Sequence, residues 1–267
     1  MPAVHHYTSV RGALGILETG QLWFTERTHL NDPSELSHGI EIASAILCRQ
    51  GRKQDATRLD EVANGVFRDF RFFSASFSFE DDDLSQWRNY ADDGMGVVLS
   101  FKASAFNNPK AYIDQRIADN PTALVCPMSY DRTCLENVIN SVIKRWNGSD
   151  INELCDHLLV ISSMFKNDCW KSEKEYRFFV HHQREKILTN CYYKVRERNS
   201  QLISYLDLPI QNWNSKTDFP IYRISLGLAA SDGVDVRLRD FIYSKRRSIS
   251  QNDISRSNLP YRSVRQI

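Results

Sequence analysis

A chain of 267 residues, 42% hydrophobic and 25% charged, carries enough apolar material for one substantial core, and that composition excludes a wholly disordered protein. Its formal charge of +1 excludes a global electrostatic pull towards nucleic acid or an anionic membrane. No stretch reaches the roughly 20 apolar residues that span a bilayer, and the opening Met-Pro-Ala-Val-His-His lacks the basic-then-apolar order of a secretory leader. The expectation is one elaborated α+β domain over residues 1–267, cytoplasmic and without membrane association. Six cysteines, at 48, 126, 134, 155, 169 and 191, show no paired spacing and make no metal-like group with a histidine, so they read as reduced core thiols. From Arg223 onward 9 Lys/Arg stand against 4 Asp/Glu, with Lys245-Arg246-Arg247 among them. That cluster and the acidic run Glu80-Asp81-Asp82-Asp83 read as solvated surface.

In chain order, Val4–Thr8 predicts a short strand, and apolar residues at helical spacing predict a helix over Val10–Leu17 that stops at Gly20. Leu22–Thr25 is a second short strand. Asn31-Asp32-Pro33-Ser34 is a turn, with Ser34 as N-cap of a helix carrying Leu36, Ile40, Ala43 and Leu47. A further helix follows over Gln54–Phe70. Arg71–Phe79 then alternates Phe73, Ala75 and Phe77 with Ser74, Ser76 and Ser78, which predicts a strand. Leu84–Ala91 reads as a short helix, Asp93-Gly94 as a turn and Gly96–Phe101 as a strand. Asn137–Arg145 and Ile151–Phe165 read as helices; Glu175–Val180, Cys191–Val195, Leu202–Leu208 and Tyr222–Leu228 as strands; Val234–Ser244 as a helix. Helices gather mid-chain and strands towards both ends, which suits a mixed α+β domain better than a regular alternating parallel fold.

The common catalytic templates are absent: no glycine-rich phosphate loop, no G-x-S-x-G and no H-E-x-x-H. The seven histidines form no spaced ligand set, and the neighbours His5-His6 and His181-His182 point to opposite faces if they lie in strands, so no metal is expected. What remains is a carboxylate pair in Trp170-Lys171-Ser172-Glu173-Lys174-Glu175-Tyr176-Arg177. At i and i+2 the two glutamates share one face of a strand. Such proximity raises the pKa of one of them, and a fixed carboxylate stabilises the oxocarbenium-like transition state of glycosidic cleavage. The competing reading is a charged edge strand in which Lys174 and Arg177 pair locally.

The start His5-His6-Tyr7-Thr8, then a helix with Leu14, Ile16 and Leu17, then Gly20 and a short strand, resembles the opening of the ADP-ribosyltransferase superfamily. There a strand-borne His or Arg holds the adenosine ribose of NAD, a glutamate on a later strand acts near the nicotinamide ribose, and an E-x-E pair is a known variant. The chain also resembles an uncharacterised, mostly bacterial family, domain of unknown function 2971. The likeness runs through Leu22-Trp23-Phe24, Asn31-Asp32-Pro33-x-Glu35, Phe77-Ser78, Trp87-x-x-Tyr90-Ala91, Gly96-Val97, Trp170-x-x-Glu173-x-Glu175-x-Arg177 and Ser225-Leu226-Gly227.

These resemblances imply split mixed/antiparallel β-sheets with inserted helices, core motifs at 4–35, 71–101 and 169–181, and a C-terminal part, 191–267, packed on them. They imply His6 as the ribose-binding residue, with Thr8 on the same strand face and His5 facing away. Phe77-Ser78 becomes the second motif strand, with Ser rather than Tyr at its end, and Tyr90 stacks on nicotinamide. Glu175 becomes the catalytic carboxylate, and Glu173 orients or activates the acceptor. Arg177 holds Glu175 or a dinucleotide phosphate, and Asp32 or Glu35 borders the cleft unless their segment is only a turn and cap. Trp87 reads as a core anchor, and Arg27 as a solvated side chain or a pyrophosphate contact. The implied activity is transfer of ADP-ribose from NAD to a macromolecular acceptor, nucleic acid or protein, in a toxin or phage-defence effector. The alternatives are a non-catalytic nucleotide- or partner-binding sensor module of a defence system, and an NAD glycohydrolase or nuclease.

Overall fold

Alternation of apolar residues and serines from Phe73 to Ser78, within Phe70–Ser78 (β3), makes this strand the spine of the fold. Phe73, Ala75 and Phe77 enter the main core on one face. Phe72 enters a second, helical core on the other face, and Ser74, Ser76 and Ser78 point to that same side of the sheet. The computed structural model describes residues 3–29, 36–102, 122–188, 193–198, 200–210, 212–215, 218–245 and 253–261. In it β3 pairs along its whole length with Glu175–Gln183 (β6), from Phe70↔Gln183 to Ser78↔Glu175, and β6 pairs in turn with Thr122–Pro127 (β5).

The other edge of β3 meets two different strands. Gln21–Glu26 (β2) pairs with it at Phe73 and Ser74, and Ala3–Thr8 (β1) at Ser78. Between those points, beside Ala75–Phe77, β1 and β2 part and leave a gap. Beyond β1 the sheet continues through Val97–Lys102 (β4), Ile221–Leu226 (β9) and Ile254–Arg256 (β10); beyond β2 it continues through Gln201–Pro209 (β8) and Tyr193–Arg198 (β7). The β9–β10 pairing is parallel and the other strand pairings are antiparallel. The fold is therefore mixed α and β, and the two halves of the sheet are joined through β3.

Helices cover both faces. Val10–Thr19 (α1) starts at Ser9, whose hydroxyl accepts the Gly12 amide, and ends where Gly20 turns left-handed at φ 69°. It lays Ala13, Ile16 and Leu17 on the main core. Ser37–Arg49 (α2), Lys53–Asp69 (α3), Arg132–Trp146 (α5) and Ile151–Ser162 (α6) build the second core against Phe72 and Phe179. Leu84–Tyr90 (α4) inserts the fully buried Trp87 between Tyr7 and Val98. Arg184–Leu188 (α7) follows β6, and Val234–Ser244 (α8) closes the main core with Leu238 and Ile242. Among the described residues no helix is long and apolar enough to cross a membrane.

Several expectations need correction. β6 lies between β3 and β5, so the glutamate segment is not at a sheet edge. The sequence pattern predicts no element between Phe101 and Asn137, where β5 forms and α5 begins at Arg132, and none at β10 or α7. β10 has only three residues, and both β5 and β10 are fixed by the strand each pairs with. Helix α2 begins at Ser37 with Leu36 in the cap position, rather than after Ser34, and the turn 31–35 lies outside the described residues. Among the described cysteines only Cys155 is buried, while Cys48, Cys134 and Cys169 are exposed, so they are not core thiols as a group. The acidic run does structural work: Asp83 caps α4, Asp82 accepts the Trp87 indole N–H at 2.7 Å, Asp81 pairs with Arg223 and Glu80 with Lys174. Arg27 is not a simple solvated side chain, since its guanidinium lies 4.5 Å above the Phe67 ring. Lys245 pairs with Glu18 at 2.8 Å, and Arg246-Arg247 lie outside the described residues.

The turn that leads from α4 into β4 packs without room to spare. A Cβ on Gly227 would sit 2.0 Å from the Gly94 carbonyl oxygen, and one on Gly96 would sit 2.3 Å from that of Thr8. Both obstacles are backbone, which cannot rotate aside. Gly227→Ala is expected to cost about 1–3 kcal/mol in urea unfolding, the range for forced overpacking. A loss under a few tenths would mean the turn is looser than this packing implies.

Candidate functional site

The gap between β1 and β2 opens into a cavity of about 570 Å³ that also reaches α4 and the start of β6. Its most unusual feature is a set of buried charges. Glu175, 3% exposed, directs its carboxylate to four donors: Arg177 Nε at 2.6 Å and Nη2 at 2.9 Å, Ser76 Oγ at 2.6 Å and Lys166 Nζ at 3.1 Å. Cross-strand register explains the first three, because Ser78↔Glu175 and Ser76↔Arg177 place all four residues on one sheet face. Ser76 is itself exposed, so its hydroxyl joins the buried carboxylate to the open cavity.

Glu173 reaches the same cluster by another route. It belongs not to the strand but to a 3₁₀ turn, Asp168–Glu173, and Lys174 between the glutamates is left-handed at φ 44°. The expected shared strand face is therefore replaced by a turn that folds Glu173 back. Ser78 Oγ pins this turn by donating to the Glu173 carbonyl at 2.8 Å, and Phe79 N–H donates to the Lys174 carbonyl at 3.0 Å. The Glu173 carboxylate accepts from Lys166 Nζ at 2.5 Å and, very closely, from the Tyr90 hydroxyl. Lys166 thus bridges the two carboxylates, with its ammonium 4.9 Å from the Trp170 ring centre.

At Glu175 this pairing works against the repulsion expected between neighbouring acids. Burial alone would raise the Glu175 carboxyl, but Arg177 and Lys166, with the hydrogen bonds from Arg177 and Ser76, outweigh it and hold the pKa at about 2. Burial likewise disfavours the Lys166 ammonium, yet Glu175 and Glu173 hold its pKa above the usual lysine value. Two cations thus lie among the two acids, and at Glu175 they outweigh burial.

The histidines lie on opposite faces, as neighbours in a strand must. His5 pairs with Ser78 in register, is buried, and contacts Ser100 Oγ through Nδ1 at 2.9 Å; burial lowers its pKa to about 4. His6 lies with Phe77, ring centres 5.6 Å apart, and its Nδ1 meets the Ser76 carbonyl oxygen at 3.0 Å in the gap. A carbonyl only accepts, so Nδ1 carries the proton; burial lowers the His6 pKa, and Nε2 of the neutral ring is left as an acceptor. Thr8 shares the His6 face and lies against α1, where a Cβ on Gly12 would be 2.2 Å from its Oγ1.

The cavity therefore brings together His6, Thr8, Ser78, Tyr90, Glu173, Glu175 and Arg177. Ser78 is 1% exposed and its hydroxyl is committed to the Glu173 carbonyl and the Glu80 amide. Tyr90 stands at the cavity wall with its hydroxyl fixed on Glu173. Trp87 is an anchor of the core. Asp32 and Glu35 lie outside the described residues. Sequence reasoning missed Lys166, whose only signal is a lone cation between the end of α6 and Trp170. It also missed Ser76 as the partner of Glu175, and Arg196 on the far wall, which the alternation Lys194, Arg196, Arg198 does signal.

Residues 86–178 match the family described as a protein of unknown function, DUF2971. The match supports the resemblance to that family over this stretch, which includes the motifs Trp87-x-x-Tyr90-Ala91, Gly96-Val97 and Trp170-x-x-Glu173-x-Glu175-x-Arg177 and also holds Lys166. No curated protein and no solved structure matches the chain.

Removing Lys166 leaves two buried carboxylates with only Arg177 and neutral donors between them. Lys166→Met is expected to lose about 3–5 kcal/mol of stability at pH 7, the usual effect of breaking a buried pair. The pH dependence follows from the depressed Glu175 pKa. Its stabilising contribution is complete above the unfolded glutamate pKa near 4.3 and is lost as pH falls towards about 2. The deficit of the variant, read by urea denaturation, should therefore shrink as pH falls through 4; a deficit constant with pH would refute the bridging role.

Proposed function

We propose that the chain has an ADP-ribosyltransferase-like fold, binds NAD in the gap between β1 and β2, and transfers ADP-ribose from it to a macromolecular acceptor. The observation that carries this reading is a carboxylate, Glu175, held ionised at the base of a polar cavity and joined to it by one exposed hydroxyl. Cleavage of the glycosidic bond leaves positive charge on the ribose C1′ and O4′ while the bond's electron pair departs with nicotinamide as a neutral base. A fixed anion beside that ribose lowers the energy of the transition state more than that of the ground state.

The other residues take consistent parts. Neutral His6 presents Nε2 as acceptor for a ribose hydroxyl, with Thr8 beside it on the strand. The Tyr90 ring forms the wall against which nicotinamide stacks. Glu173, between Tyr90 and Lys166, orients the acceptor and takes its proton as the new bond to C1′ forms. Arg177 keeps Glu175 ionised and in place. The acceptor is a nucleic acid or protein group, and a toxin or defence effector is the setting such an activity suits.

Purified protein incubated with NAD should release nicotinamide, and NAD should raise its melting temperature. Glu175→Gln should cut turnover by about 10²–10³-fold, the loss seen when a transition-state-stabilising group is removed. Because Glu175 is fully ionised above about pH 4, the rate should show no acid limb from this group near neutrality. Absence of both nicotinamide release and thermal stabilisation would end the NAD reading. Free ADP-ribose without a modified macromolecule would replace transfer by hydrolysis. Circular dichroism of the variant separates lost chemistry from lost folding.

A further inference from the structure

Arg196 on β7 reaches back over the sheet towards the cavity. Its guanidinium carbon lies 4.4 Å from the ring centre of Trp23 and 5.3 Å from that of Tyr205. Nη2 makes one long contact with Thr25 Oγ1, at 3.4 Å, while Nε is buried without a hydrogen-bond partner. Among the described residues no carboxylate forms an ion pair with it. The charge is partly desolvated on an aromatic ledge, and burial lowers its pKa. A cation left in this condition is costly, and such groups mark places where a missing anion completes the structure.

A second observation sits three strands away, on β3. Ser74, 4% exposed, has its hydroxyl unpartnered while lining the same cavity. The register Ser74↔Thr25 on β3–β2 and Thr25↔Tyr205 on β2–β8 puts these side chains in one row on one face. It is the face that carries Ser76 and Glu175, two and four residues along β3 and across to β6. Adjacent strands are about 4.8 Å apart and a two-residue step along a strand is about 7 Å. The row therefore begins one such step from the hydroxyl that touches Glu175. Arg198, two residues on along β7, lines the cavity as well and brings a second cation.

We propose that Arg196, Thr25 and Ser74 form a phosphoryl-anion subsite that takes the diphosphate of a nucleotide whose sugar lies at Glu175; the assignment of the sugar end rests on the NAD reading. A guanidinium fork and two hydroxyls supply more donors than a lone carboxylate can use, and the oxygens of a tetrahedral phosphoryl group match them. Arg196 then gains the anion its surroundings lack, and Ser74 gains an acceptor.

Titration calorimetry of the full-length protein with inorganic pyrophosphate at low salt tests this, with acetate as control. Wild type should bind pyrophosphate and not acetate. Arg196→Met should weaken binding at least about tenfold, and Arg196→Lys should recover less than half of that loss, because an ammonium lacks the planar fork. Ser74→Ala, a change too small to disturb folding, should weaken it by about threefold or more. Unchanged pyrophosphate affinity in Arg196→Lys and Ser74→Ala overturns the subsite, whether or not the methionine variant folds; so does equal binding of acetate. A parallel titration with NAD separates the two readings. Pyrophosphate binding that depends on Arg196 without any NAD binding leaves the subsite standing and removes the NAD assignment. NAD binding that is indifferent to Arg196 does the reverse.

Discussion

Two carboxylates and two cations buried together constrain everything around them. Moving an ion of either sign out of water costs several kcal/mol even after relaxation, so Glu173, Glu175, Lys166 and Arg177 are tolerable only in an arrangement that satisfies all four. That arrangement draws on widely separated parts of the chain. Ser76 and Ser78 come from β3, Lys166 from the segment after α6, Tyr90 from α4, and Tyr130 accepts the Glu175 amide at 2.8 Å from the chain beyond β5. The cluster thus fastens the helical core to the sheet at one point. A defect in any partner is felt as an unpaired buried charge rather than as a lost surface contact.

The second constraint is the parting of β1 and β2. A continuous strand in their place would pair with Ala75–Phe77 and leave no opening. As it is, β3 is held by β6 on one side throughout, and the interrupted edge needs no other support. His6 covers part of the exposed backbone by donating to the Ser76 carbonyl, so the same serine meets a histidine through its main chain and a glutamate through its side chain. Residue 76 is where the two halves of the sheet and the charge cluster meet. Its small, exposed side chain is what allows the cavity to approach a carboxylate that is otherwise enclosed.

Much of this is legible in the sequence alone. Alternation from Phe73 to Ser78 marks β3, apolar spacing and the stop at Gly20 mark α1, and the Glu-x-Glu motif points at the cluster. What was misread has a common cause. The two glutamates share an environment because Lys174 takes a left-handed conformation and a 3₁₀ turn folds back onto Ser78, and neither event has a periodic signature. Lys166 was invisible because a lone cation carries no pattern, and its meaning comes entirely from two acids that the fold brings to it. The low pKa of Glu175 is hidden for the same reason: spacing shows a neighbouring acid but not the two cations that the fold brings to this carboxylate. β5 has an apolar stretch too short to distinguish from a buried loop until β6 pairs with it.

On the proposed reading, the saturation of Glu175 decides how a ligand can use it. A carboxylate offers about four acceptor positions, and four donors already occupy them. A ribose hydroxyl therefore reaches Glu175 only by displacing one donor. Arg177 and Lys166 are buried cations whose departure would leave charge uncompensated at a cost of several kcal/mol. Ser76 is neutral, exposed and free to rotate about one bond, so it is the donor that yields. The exchange replaces one neutral hydroxyl donor by another and leaves the carboxylate ionised between its two cations. The buried pairs hold the charge in place, and the serine holds open the position from which that charge acts.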